Sequence, residues 1–171
     1  MSLNNQKNKM KKVTLLFVLL LALTGYGKAQ TYSDFTLPDL DGNDITLSRL
    51  LDKGPVMISF WATWCSPCKE EMKKMNDVYL KYKDKGFQYV ALNIDNQKSA
   101  SKVKSFVTAQ SFAFIVLMDN DKKVFEAYSG KDEMPYSIII DKNKNIVTAH
   151  TGFKTGDEVQ IAAEVEKLVN K

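Results

Sequence analysis

Apolar positions along this 171-residue chain fall into three patterns, each predicting a different kind of element. Val13 to Leu23 form one block of eleven residues, all apolar except Thr14. Short runs such as Val56-Met57-Ile58-Ser59-Phe60-Trp61 are nearly all apolar, as expected of a strand covered on both faces. Elsewhere apolar residues recur every three or four positions, the spacing of one helix face.

Asp39 to Thr46 reads as a short hairpin turning at Asp41-Gly42. Ser48 is placed to cap a brief helical turn through Leu51, and Gly54-Pro55 breaks the chain before the Val56–Trp61 strand. A helix is predicted from Cys65 or Ser66 to about Lys83, with Met72, Met75, Val78, Tyr79 and Tyr82 on one face and Gly86 closing it. Pro67 is tolerated in its first turn, where no N–H is needed. Phe87 to Ile94 is the next buried strand, Ser99 to Gln110 a second helix, and Phe112 to Met118 a strand ending in the polar turn Asp119-Asn120-Asp121. Val124 to Tyr128 reads as a short helix. Tyr136–Ile140 and Ile146–Thr151 read as strands of a hairpin turning at Asp141 to Asn145. Thr155 and Glu158 are spaced as a capping box for a last helix whose inner face is Val159, Ala162, Val165, Leu168 and Val169. The order predicts an α/β sandwich with a central mixed sheet.

The eleven-residue block does not belong to that domain. Lys7 to Lys12 precede it as a positive run, and small and polar residues follow it. Positive, apolar, then small is the order of a secretory signal peptide. Gly27 and Ala29 suit a cleavage site, making residues 1–29 a leader and 30–171 the mature domain. The block is short against the roughly 20 apolar residues of a membrane span, which favours a cleaved leader over the alternative, an uncleaved N-terminal anchor. Either way the body is expected outside the cytoplasm, in the periplasm or an equivalent space.

Charge changes the picture once it is divided. The chain has 24 basic and 20 acidic residues, a formal +4. Five of the basic residues and none of the acidic ones lie in residues 1–29, so the remainder is close to neutral. No basic body remains to bind nucleic acid. Hydrophobic residues make up 44% of the chain and charged residues 26%, as in ordinary globular proteins, which excludes wholesale disorder or a multi-span membrane protein.

The two cysteines stand together in Trp64-Cys65-Ser66-Pro67-Cys68, between an apolar strand and an amphipathic helix. Spacing of three along a first helical turn brings the sulfurs within bonding reach. It also places Cys65 at the helix N-terminus, where unpaired N–H groups and the helix dipole favour a thiolate, the reacting species. The predicted chemistry is attack by Cys65 on a substrate disulfide, followed by attack of the deeper Cys68 on Cys65. A purely stabilising role is a poor fit, because so small a loop restricts the unfolded chain little. A structural zinc site normally takes four ligands, and beyond this pair the chain has no cysteine and one histidine, His150.

These residues resemble the thioredoxin superfamily and, more narrowly, the exported TlpA/ResA-like thiol–disulfide oxidoreductases. The resemblance covers roughly residues 33–170. It rests on the opening Phe35 to Gly42, on Ser59-Phe60-Trp61-Ala62-Thr63-Trp64-Cys65-Ser66-Pro67-Cys68, on Met134-Pro135 before a strand, and on a segment from about Asp95 to Val116 like the insertion of that branch. It implies a thioredoxin-like sandwich with an N-terminal β-hairpin and a redox-active Cys65–Cys68 disulfide, and no cofactor or metal. Pro135 matches the family's cis-proline, which would turn the Met134 backbone toward an incoming extended chain. Glu71 matches an acid near the buried cysteine; raised in pKa by burial, it could exchange a proton with Cys68. Trp64 is expected to shield the reactive sulfur and shape the docking surface, and Trp61 to lie in the core.

Three departures matter. Ser59 stands where general disulfide-reducing thioredoxins carry a buried aspartate, which transfers weight to Glu71 or to water. Tyr136 follows the proline where a threonine is common. The dipeptide between the cysteines is Ser66-Pro67, without a histidine, which argues for the reducing end of the scale (~−270 mV) over the oxidising end (~−120 mV). The resemblance further implies protein disulfides as substrates, with apocytochrome c as the best-known client, and a membrane electron donor of the DsbD or CcdA type; a monomer is expected. Two rivals are a thiol peroxidase and a Cu(I)-binding metallochaperone. The first needs a proline seven and a threonine three residues before its cysteine, where Cys65 has Ile58 and Ala62, and Cys68 has Trp61 and Cys65. The second would need His150 as a third ligand.

Overall fold

The computed structural model describes residues 32–128 and 133–171. The expected leader, with its cut before Gln30, lies outside them. Strands β1 (Thr36–Pro38) and β2 (Asp44–Thr46) pair antiparallel. Asp39 builds the turn between them: its Oδ1 accepts the backbone N–H of Asp41 at 2.8 Å and that of Asn43 at 2.9 Å. The hairpin therefore starts earlier than the pattern suggested, with Asp39 in the turn. Helix α1 (Leu47–Leu51) follows with Thr46, not Ser48, at its N-cap. Ser48 lies inside the first turn, where its N–H is taken by Asp34 Oδ1 at 2.9 Å.

The main sheet has five strands in the order β5 (Ile115–Met118), β4 (Gln88–Asn93), β3 (Val56–Trp61), β6 (Tyr136–Ile140), β7 (Ile146–Thr151). β3, β4 and β5 run parallel, while β6 and β7 run antiparallel to their neighbours. β3, β4 and β6 are buried at every position, which explains why they are apolar but for a few buried polar residues; β7 lies at an edge and alternates. Successive residues of a strand face opposite ways, and β3 shows what covers each side. Phe60 meets Phe125 of helix α4 (Lys123–Tyr128), and Trp61 meets Phe106 of helix α3 (Ala100–Gln110) on the other face. Helix α2 (Ser66–Tyr82) shares the Ser59 side and packs against α5 (Asp157–Val169). An isolated bridge, Asp39 to Leu117, ties the hairpin to β5.

The α/β sandwich, the mixed sheet, the N-terminal hairpin and the inserted α3–β5 unit are all present. The start of α5 differs from expectation. Gly156, in the left-handed conformation (φ 111°), is the N-cap, and no side chain caps the helix there. Glu158 reaches back to the Gly156 N–H and Asp157 to the Lys154 N–H, so the Thr155–Glu158 box does not form. With that start the inner face runs through Ile161 and Val165, and Val159 is turned outward, 69% exposed. No helix among the described residues is long and apolar enough to cross a membrane.

Candidate active site

β3 delivers the chain to the site and β4 holds it there. After Trp61 the loop turns at Ala62, whose carbonyl accepts the Cys65 N–H at 3.0 Å. The Thr63 N–H is bound by Asp95 Oδ2 at 2.7 Å. Asp95 is fixed in turn by Asn93, which donates from its side-chain amide to the same oxygen at 3.0 Å and accepts the Asp95 N–H at 3.1 Å. All of these groups are buried. A buried carboxylate bound by two N–H groups, one from the loop and one from its own segment, is a rigid clamp on the loop.

Cys65 is the N-cap of α2, with extended backbone angles (φ −89°, ψ 100°), and its Sγ accepts the Cys68 N–H at 3.3 Å. Pro67 sits in the first turn, as its missing N–H allows. The two sulfurs are joined in a disulfide. The Cys68 N–H at the helix end faces the Cys65 sulfur, a position where a negative charge is favoured. Cys65 retains 5% of its surface and Cys68 none, while the preceding Trp64 stands 66% exposed. Trp61 is fully buried in the core.

Glu71 follows Cys68 by three residues in the buried stripe of α2 that continues through Met72, Met75, Val78 and Tyr82. It is 1% exposed. Ser59 Oγ donates to its Oε2 at 2.9 Å, and Ser137, opposite Ser59 on the neighbouring strand, is the second hydroxyl that lowers its pKa. Burial raises its pKa to about 7, against the lowering pull of the two hydroxyls. Tyr89 lies beside it, and burial, then the Glu71 charge, push that phenol well above its usual range.

The Met134–Pro135 bond is cis. Pro135 precedes β6, whose first residue Tyr136 pairs with Phe60, so Met134 and Pro135 stand at the same end of the sheet as the cysteines. The Pro135 carbonyl accepts the Gly152 N–H at 2.8 Å, tying it to the end of β7. Tyr136 departs from the family's threonine, but its ring stacks on Phe60 at 6.0 Å and belongs to the core.

His150 lies elsewhere. It sits on β7 opposite Ser137, two strands from Ser59, and its Nε2 is 2.8 Å from Glu164 Oε2. Among the described residues no group of three or more His, Cys, Asp and Glu side chains is arranged to hold a metal ion. Three site residues escaped the reading of the chain: Asp95, Asn93 and Ser137. The only signal for the first two was a polar pair, two residues apart, at the end of an apolar strand. Ser137 is a lone polar residue just before a run of three isoleucines.

Residues 29–149 match the AhpC/TSA family. The chain is 36% identical to the thiol-disulfide oxidoreductase ResA of Bacillus anthracis over 88% of its own length and 95% of the relative's. It is 32% identical to the ResA of Geobacillus thermodenitrificans, over 86% and 90% of the two chains. Among solved structures it is similar to one assigned as a thiol:disulfide interchange protein DsbE from Chlorobium tepidum, with a TM-score of 0.72 and 30% identity, covering 84% of this chain and 98% of the other.

Proposed function

The chain belongs to the AhpC/TSA family and is a ResA-like thiol–disulfide oxidoreductase; from that premise we propose that it works as a disulfide reductase on exported proteins, outside the cytoplasm. Residues 1–29 serve as the export signal and 30–171 as the working domain. The observation that carries the direction of attack is the unequal burial of the cysteines: Cys65 keeps a small open surface at the helix end, and Cys68 has none.

The Cys65 thiolate attacks one sulfur of the substrate disulfide, forming a mixed disulfide and releasing the first substrate thiolate. Cys68 then loses its proton to the Glu71 carboxylate and attacks the Cys65 sulfur. The second substrate thiolate leaves, and both leaving groups take protons from solvent. Two electrons pass from the cysteine pair to the substrate. A carboxyl with a pKa of about 7 suits such a role near neutral pH. Trp64 and the Met134–Pro135 backbone form the docking surface for the extended substrate chain. The oxidised pair is returned to dithiol by a membrane electron donor of the DsbD or CcdA type, and apocytochrome c is the client class first to be examined. The working unit is a monomer.

The test is capture in the native host. A Cys68→Ala variant cannot resolve the mixed disulfide, so an exported client should remain bound to Cys65 and be identifiable by mass. A midpoint below about −200 mV is expected; a midpoint near −120 mV, with no captured client, would reverse the assigned direction.

A further inference from the structure

Two buried serines stand out in the strands beneath the site. Ser59 interrupts the apolar run of β3, and Ser137 interrupts that of β6. They are register partners across the antiparallel β3–β6 pair, so their side chains leave the sheet together on one face. Both are buried, at 0% and 2% exposure. A buried hydroxyl is costly unless it is bonded, and an aliphatic residue would suit either strand better. Both face the same group, the Glu71 carboxylate: Ser59 Oγ donates to Oε2 at 2.9 Å, and Ser137, its register partner on β6, pulls the Glu71 pKa down from the neighbouring strand.

We propose that Ser59 and Ser137 are positioning residues that together cradle the Glu71 carboxylate, fixing its place one turn beyond Cys68 and stabilising its ionised form so that it can take the Cys68 proton. This rests on the acid–base reading of Glu71 and adds the groups on which that reading depends. No lysine, arginine or histidine bonds to this carboxylate among the described contacts; the groups facing it are Ser59 from β3, Ser137 from β6 and the Tyr89 phenol from β4. Next along the same face, beyond Ser137, stands His150 of β7, bonded to Glu164 of α5 instead. With no cation bonded to the carboxylate, the two hydroxyls are its partners in favouring the charge. The proton moves from the Cys68 thiol to a Glu71 oxygen, the freed thiolate attacks Cys65, and the carboxylic acid loses its proton again when the pair is re-reduced.

The experiment follows single-turnover reduction of oxidised glutathione by the pre-reduced protein across about pH 5 to 9, read through tryptophan emission. In the wild type the resolution rate rises with pH through about 7, the Glu71 value. Ser59→Ala with Ser137→Ala should displace that limb upward by about one pH unit, and Ser59→Thr with Ser137→Thr, which restore the hydroxyls, should bring it back. A limb that stays in place in the alanine pair while Glu71→Gln abolishes it overturns the cradle. If Glu71→Gln itself leaves the limb untouched, the acid assignment falls first and the cradle with it. A cooperative urea unfolding transition in every variant checks that each has folded.

Discussion

Asp95 accepts the backbone N–H of Thr63 at 2.7 Å, and through this bond the end of β4 holds the loop that presents Cys65. The loop follows a parallel strand pair in which Trp61 stands opposite Asn93, so the clamp extends the sheet's own register by two residues. Asp95→Ala leaves the Thr63 N–H and the Asn93 amide without their buried acceptor. The expected cost is about 1–3 kcal/mol, together with a fall in kcat/KM as Cys65 loses its fixed approach. Asp95→Asn keeps one acceptor oxygen and should recover part of both. Urea unfolding of the oxidised protein, paired with turnover on a protein disulfide, measures the two effects; an alanine variant as stable and as fast as wild type would refute the clamp.

Glu71 makes stability depend on pH in the direction opposite to that of a salt-bridged acid. Its folded pKa is raised by burial from an ordinary 4.5 to about 7. Between those values the folded chain holds a proton that the unfolded chain has released. The stabilisation is therefore complete below about pH 4.5 and is lost as pH rises through about 7. The shift corresponds to about 3 kcal/mol. Glu71→Gln, which cannot ionise, should gain stability relative to wild type by about that amount between pH 4.5 and pH 8, measured on the oxidised form. A difference that stays flat with pH would show that the carboxyl ionises as freely when folded as when unfolded.

The fold was readable because its strongest signals are local. Buried strands such as Val56–Trp61 must be apolar throughout, and α2 must show a 3.6-residue stripe, so β3, α2 and β4 came within a residue or two of their bounds. Helix starts were less legible. Thr155 and Glu158 have the spacing of a capping box, but the left-handed turn at Gly156 moves the helix start and rotates Val159 out to solvent. At the site the cysteines announced themselves through their spacing. Asp95 and Ser137 did not, since each acts on a residue more than thirty or sixty positions away through sheet register, and a single sequence carries no mark of which strands pair.

The proposed docking role of Trp64 can be tested apart from folding. Its side chain is 66% exposed beside the reactive cysteine, so truncation removes little that is buried. Trp64→Ala should change stability by no more than about 0.5 kcal/mol, the range for surface substitutions. It should raise KM for a folded protein disulfide several-fold and leave the reduction of a small disulfide such as oxidised glutathione nearly unaltered. Equal losses on both substrates would place the tryptophan's role at the sulfur chemistry instead of the docking surface.

Gly86 supports the site from the far end of the same strands. It takes a left-handed conformation (φ 93°) between α2 and β4, and a Cβ there would lie 2.3 Å from the Lys53 carbonyl oxygen. The obstacle is backbone, which cannot swing aside as a side chain can. Gly54, across the contact, is equally closed, since its own Cβ would lie 2.7 Å from the Gly86 oxygen. This close approach seats β4 on β3 where they begin, with the Gln88 N–H bound to the Pro55 carbonyl at 2.9 Å. Gly86→Ala therefore combines an unfavourable φ with displaced strands, and is expected to cost about 1–3 kcal/mol. The cysteines lie at the opposite ends of β3 and α2 from this contact, so the reduction potential of the pair should not change while the unfolding midpoint falls. A variant whose potential moved with its stability would mean that the strand register set at Gly86 is transmitted along β3 to Cys65.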